Sequence, residues 1–125
     1  EHFPIRPPRE HLDVAPRTLE IVRDAMRADV EDEYATGRLA AVPGFRICGK
    51  TGTAQITNPQ NKIIGHTLWF TSFAPLENPR YAVLVMVESE TGGGGGTVCA
   101  PMARKIYETI LELERQRGAA LARVP

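Results

Sequence analysis

Gly44-Phe45-Arg46-Ile47-Cys48-Gly49-Lys50-Thr51-Gly52-Thr53-Ala54-Gln55 satisfies two incompatible patterns at once. Its first eight residues fit the G-x-x-x-x-G-K-[ST] pattern of a phosphate-binding loop, while Lys50-Thr51-Gly52 also spells a K-T-G triplet. A phosphate loop needs a buried strand ending at its first glycine. It also needs a helix starting at the Gly-Lys-Thr step, so that backbone N–H groups converge on the phosphates. Neither flank supplies these. Ala40-Ala41-Val42-Pro43 is short and broken by proline, a poor central strand. Phe45 to Cys48 alternates like a strand where a loop is required. Gly52 and Pro59 stand where the helix would run, and both weaken it. No later apolar strand ends in an aspartate suited to magnesium.

The strand reading fits the same residues better. Phe45 to Ile56 forms one extended segment, with Lys50 and Gly52 on one face and Thr51 and Thr53 on the other. A glycine inside a strand opens the backbone to close approach by a ligand. Lysine offers positive charge to an anionic ligand, and the threonines offer hydroxyl donors. The plain structural alternative is an edge strand protected by its lysine, with a bulge at the glycine.

The 125 residues suffice for at most one domain, able to bury roughly two-thirds of its unfolded surface. Fifteen basic and fifteen acidic residues cancel, so no global field points to nucleic acid or an anionic membrane as partner. No apolar run approaches the ~20 residues of a membrane span, and the proline-rich opening does not resemble a signal peptide. Cys48 and Cys99 are free thiols or one disulfide; the sequence leaves both open. His2, His11 and His66 are scattered without ligand spacing, so no metal is expected, and no cofactor either.

Residues 1–15 read as an extended lead-in, residues 16–118 as the folded portion and residues 119–125 as a tail. Pro16 suits the first turn of a helix running to about Glu33, with Leu19, Val22, Met26 and Val30 as its buried face. Asp29, Glu31, Asp32 and Glu33 crowd the helix end that disfavours negative charge, so this end frays or serves a local partner. Strands follow at Phe45–Ile56, Thr67–Ala74 and Arg80–Glu88, joined by short turns as an antiparallel meander. The third strand is nearly all apolar, which predicts burial on both faces and a central place in its sheet. A three-strand meander makes it an edge, so missing strands or a partner must cover it. Gly92 to Gly96 reads as a flexible loop. A final helix from about Ala100 to Gln116 has Met102, Ile106, Ile110 and Leu113 as its buried stripe and Gly118 as its C-cap. The fold class is therefore α+β, a three-strand meander flanked by an N-terminal and a C-terminal helix.

Taken together, Val-Pro-Gly-Phe-Arg-Ile-Cys-Gly-Lys-Thr-Gly-Thr-Ala-Gln, His-Thr-Leu-Trp-Phe-Thr-Ser-Phe-Ala-Pro, Asn-Pro-Arg-Tyr-Ala-Val-Leu-Val-Met-Val-Glu, the glycine run and Ala-Pro-Met-Ala-Arg-Lys-Ile-Tyr-Glu resemble a known family along nearly the whole chain. The order is similar to the C-terminal part of the transpeptidase domain of class B penicillin-binding proteins, with most likeness to the elongation-type penicillin-binding protein 2. The resemblance implies an incomplete portion of the transpeptidase fold shared with serine β-lactamases. It also implies a parent enzyme crosslinking peptidoglycan through an acyl-serine intermediate. Lys50 would neighbour the nucleophilic serine and the S-x-N motif as electrostatic partner and part of the proton relay. Thr51 and Thr53 would bind the terminal carboxylate of a D-Ala-D-Ala stem peptide or of a β-lactam. Gly52 would let the substrate lie antiparallel to the strand, and the Thr53 N–H would be one of two oxyanion donors. The implied parent stands on the extracytoplasmic face of the bacterial inner membrane on a single-span anchor, beside a membrane glycan polymerase.

One departure limits what this chain does alone. Its two serines, Ser72 and Ser89, are followed at the third position by Pro75 and Gly92. Neither forms the S-x-x-K of the family nucleophile, and neither begins S-x-N. Acyl transfer needs a nucleophile with a base in reach, so a fragment inactive by itself is expected. Cys48, two residues from Lys50, is a remote substitute whose pKa the lysine would lower. The competing readings are a non-catalytic module that self-associates or binds partners through an exposed sheet edge, and the nucleotide-binding loop.

Overall fold

The structure is a computed structural model and describes residues 13–121, without the side chains of 119–121. The expected lead-in lies almost wholly outside the described residues, as do the last four residues of the tail. Helix α1 spans Pro16–Glu31, with its proline in the first turn, where a missing N–H costs nothing. A short 3-10 turn, Arg38–Ala40, leads to strands β1 (Cys48–Thr57), β2 (Ile63–Ala74) and β3 (Tyr81–Ser89). A π-helical turn, Gly95–Cys99, then runs directly into helix α2, Ala100–Leu121.

The strands form one antiparallel sheet in the order β1-β2-β3. Lys50 pairs with Thr71, Thr51 with Phe70, Gly52 with Trp69 and Thr53 with Leu68. Across the other ladder Leu68 meets Val87, Phe70 meets Val85 and Ser72 meets Val83. The period of two therefore puts Thr51, Phe70 and Val85 on one face, and Lys50, Gly52, Trp69 and Met86 on the other. Helix α2 covers the first face. Leu68, Phe70, Ala100, Ala103 and Tyr107 form the core with Val30, Ala40, Ile47, Ala74 and Cys99. Inside it, the Ser72 hydroxyl donates to the Val83 carbonyl at 3.1 Å and lies 3.0 Å from the Tyr107 hydroxyl. These bonds satisfy the polar atoms that burial would otherwise penalise.

Several expectations are corrected here. β3 is the edge that the meander makes it, with β2 central, and only one of its faces is covered: Val83, Val85 and Val87 pack inward while Leu84 and Met86 are exposed. An unbroken apolar run cannot reveal which of its faces a given sheet covers. β2 begins at Ile63, so His66 lies inside the strand, paired with Gln55 and Ser89. Only Val30 of the expected α1 face is fully buried; Leu19 and Val22 are exposed. In α2 the stripe is rotated: Ala100, Ala103 and Tyr107 are buried, while Met102, Ile106 and Leu113 are exposed. Small alanines let the helix axis lie close to the sheet, and hydropathy alone ranks the larger side chains above them. α2 also continues through Gly118, which does not cap it.

The acidic end of α1 serves a local partner, as its charge required. Glu31 accepts hydrogen bonds from Arg46 Nε and Arg27 Nη1, both at 2.9 Å, and Arg46 reaches Glu77 at 2.8 Å. The Arg46 hydrogen bond holds the Glu31 carboxyl below the usual range, although partial burial opposes it. The group is half-exposed, so solvent screening leaves these bonds a modest share of stability.

Candidate active site

β1 is an edge strand whose outer side is not paired with any other described strand. Backbone groups of alternate residues point outward from such an edge. Thr51 identifies which set does so: its N–H donates to Asp29 Oδ2 at 3.3 Å instead of to β2. Thr53, two residues on, therefore also aims its N–H away from the sheet. Lys50 is exposed, and its Nζ folds back to the Thr51 carbonyl at 3.1 Å and the Thr51 hydroxyl at 3.4 Å. Lys50, Thr51, Gly52 and Thr53 thus line one edge, where the cationic head of Lys50 and the outward Thr53 N–H are available to an extended anionic ligand, while the Thr51 N–H is held by Asp29.

Two elements wall this edge. The segment after α1 returns against it: Gly37 donates its N–H to the Asp29 carbonyl at 2.9 Å. Thr36 donates its hydroxyl to Asp29 Oδ1 at 2.7 Å and lies 2.7 Å from the Thr51 hydroxyl. The glycine run supplies the second wall and is not the free linker its composition suggests. Gly92 and Gly93 take φ of 88° and 120° to bend the chain, a region that favours glycine. Gly95 and Gly96 are buried. A Cβ on Gly95 would lie 2.1 Å from the Trp69 carbonyl oxygen and 2.7 Å from that of Gly52; one on Gly96 would lie 2.0 Å from the Thr36 carbonyl oxygen. Between the walls is a pocket of about 560 Å³ bordered by Thr36, Leu39, Thr51, Thr53, Gly94 and Thr97. On the opposite face the Trp69 indole lies over Gly52, with Nε1 at 1.5 Å from where a Cβ would stand. Gly52 is therefore fixed by its own neighbour across the ladder, which no sequence pattern announces.

Other candidates are removed by their surroundings. Residues 48–57 are strand, so the segment cannot form a loop and helix around a phosphate. Cys48 is fully buried, and burial pushes its thiol up, the reverse of the expected activation. It is a free thiol, as is the buried Cys99. Ser72 is buried under Tyr107, and Ser89 donates to the Gly92 carbonyl at 2.7 Å. Among the described residues no cluster of His, Cys, Asp and Glu is arranged to hold a metal ion. The sequence reading missed Asp29 and Thr36, which reach the edge only through the chain reversal after α1.

An antiparallel sheet backed by a C-terminal helix thus carries Lys-Thr-Gly-Thr on its open edge. Residues 6–108 match the penicillin binding protein transpeptidase domain, and the chain belongs to that family. It is 35% identical over 103 residues to the peptidoglycan D,D-transpeptidase MrdA of Haemophilus influenzae, covering 74% of this chain and 16% of the relative. Against the penicillin-binding protein PbpB of Mycobacterium tuberculosis it is 31% identical over 112 residues, covering 81% and 16%. The chain thus spans about a sixth of the length of these curated relatives. Among solved structures, penicillin-binding protein 3 of M. tuberculosis superposes with a TM-score of 0.68 at 30% identity, over 82% of this chain and 25% of that one. The same protein has been solved in complex with ampicillin. The D,D-transpeptidase domain of a peptidoglycan glycosyltransferase from Eggerthella lenta gives 0.63 at 34% identity, over 90% and 24%. The fold is accordingly an incomplete transpeptidase fold.

Proposed function

We propose that this chain is the substrate-binding segment of a class B peptidoglycan D,D-transpeptidase, anchored outside the bacterial inner membrane. The open outer edge of β1 carries the reading: Thr51 and Thr53 turn their N–H groups away from the sheet beside an exposed Lys50. A D-Ala-D-Ala stem peptide or a β-lactam lies antiparallel along this edge. Gly52 presents no side chain to it, and the threonine hydroxyls meet its carboxylate. The Thr53 N–H serves as one oxyanion donor. Lys50 stands beside the serine of S-x-x-K and the S-x-N motif in the complete enzyme, as part of the proton relay. The glycan polymerase that supplies nascent strands is the partner of that enzyme.

The nucleophile lies outside these residues, so the chain alone does not acylate. A fluorescent penicillin is expected to label the complete protein covalently and to leave the 125-residue chain unlabelled after denaturing electrophoresis. Stable label on the chain alone would show that it holds its own nucleophile. A complete protein that takes no label would end the acyl-transfer reading.

A second reading applies to the chain in isolation. Leu84 and Met86 are 68% and 54% exposed on the edge strand β3. An apolar edge of this kind recruits further strands. Sedimentation across a concentration series should show dimers or larger species; a strict monomer throughout would rule this out.

A further inference from the structure

The two hollows on either side of the Lys50–Thr53 edge carry opposite charge. Among the described residues that border the pocket between the walls, Arg38 alone is charged, and Thr36, Thr51, Thr53 and Thr97 bring hydroxyls. Lys50 borders a separate hollow of about 480 Å³, which it shares with Asp29, Asp32 and Glu33. Three carboxylates against one ammonium leave that hollow net negative. A ligand carboxylate held at Thr51 and Thr53 is therefore repelled from the acidic side and drawn toward Arg38. The arginine is available for this. Arg27 and Arg46 are spent on Glu31, whereas Arg38 is exposed and its Nη1 donates to a neutral acceptor, the Glu33 carbonyl, at 2.8 Å. One N–H of the guanidinium is so engaged, and the remaining donors keep the planar fork that suits a carboxylate. Its backbone has a fixed base, because the 3-10 turn that Arg38 opens closes on the fully buried Ala40.

We infer that Arg38 is a specificity-determining residue of the site, whose guanidinium selects ligands that end in a carboxylate. It adds a charge to the hydroxyls of Thr51 and Thr53, which hold the same group by hydrogen bonds. The inference rests on the reading of this edge as a transpeptidase substrate strand, and it divides the labour between two cations. Lys50 serves the chemistry on the acidic side of the edge, and Arg38 neutralises the ligand on the other.

The test uses the complete transpeptidase carrying these residues and two compounds: benzylpenicillin, and its methyl ester, which has the same rings without the charge. Acylation efficiency (k2/Ks) for each is read by competition with a fluorescent penicillin. Arg38→Gln is expected to lower k2/Ks for benzylpenicillin about fivefold, the upper scale of an exposed ion pair, and to leave the ester within about twofold of wild type. Arg38→Lys, which keeps the charge and loses the fork, should retain most of the preference for the acid. Raising sodium chloride from about 0.05 M to about 0.5 M should shrink the gap between wild type and Arg38→Gln, since exposed charges are screened. Equal efficiency of wild type and Arg38→Gln toward benzylpenicillin would overturn the inference. So would a loss by the same factor for acid and ester, which is what a merely structural role produces. If Arg38→Gln does not fold, Arg38→Met, which keeps the side-chain stem, is read in the same way. A wild-type protein that takes no label at all sinks the transpeptidase reading itself, a result distinct from lost selectivity.

Discussion

Gly95→Ala is expected to abolish the cooperative thermal melt of this chain, as followed by circular dichroism. The added methyl would meet the Trp69 carbonyl oxygen at 2.1 Å, the Gly52 carbonyl oxygen at 2.7 Å and the Gly52 nitrogen at 3.0 Å. Overpacking a core typically costs about 1–3 kcal/mol when side chains can move aside. Here the obstacles are backbone atoms of β1 and β2, held by the ladder that pairs Gly52 with Trp69. Relief requires either opening that ladder or lifting the turn that leads into α2, and lifting the turn strips cover from Phe70 and Leu68. Gly118→Ala is the matched control. Nothing lies within 4 Å of a Cβ there and the residue is inside α2, so the change should raise stability by about 0.5–1 kcal/mol. If Gly95→Ala melts like wild type, the close packing of the glycine run on β1 is wrong.

Thr53→Pro in the complete enzyme is expected to lower penicillin acylation ~10²–10³-fold, the loss seen when one oxyanion donor is removed. Proline deletes the N–H together with the threonine hydroxyl, so the hydroxyl's share must be measured separately. Because the Thr51 N–H points outward to Asp29, the Thr53 N–H shares that direction and takes no part in the β1–β2 ladder. Edge strands accept proline where the N–H faces outward, and Gly52 before it readily takes the extended backbone that proline demands. The melting temperature should therefore stay close to wild type while chemistry collapses. Thr53→Val, which keeps the N–H and loses the hydroxyl, separates the backbone contribution from the side chain's. An acylation rate within a few-fold of wild type for Thr53→Pro would remove the oxyanion role.

The strand pattern of this chain is legible because its signals are local. Alternation through Phe45–Ile56, the turn region before Thr67 and the apolar run after Pro79 give three antiparallel strands in the right order, although β1 begins only at Cys48 and β2 already at Ile63, and the phase of Lys50 against Thr51 follows from it. What a local pattern cannot carry is the partner of each face. α2 buries Ala100, Ala103 and Tyr107 because closeness to the sheet favours small side chains, whereas Met102, Ile106 and Leu113 look more apolar and remain exposed. Asp29 illustrates the same limit at the site. In sequence it is one more carboxylate at an unfavourable helix end; in the fold it is the acceptor for Thr36 and for the Thr51 N–H. The glycine run is the sharpest case. Its composition matches a tether, yet Gly95 and Gly96 are buried because their missing side chains are the fit.

Trp69 is the only tryptophan in the sequence, and its indole Nε1 lies where a side chain on Gly52 would begin. The tryptophan fluorescence of the chain therefore originates at a single place, on the lysine face of the strand proposed to receive substrate. Any ligand that orders this edge or displaces water from the indole changes that tryptophan emission. The chain carries its own optical reporter, with no label to attach.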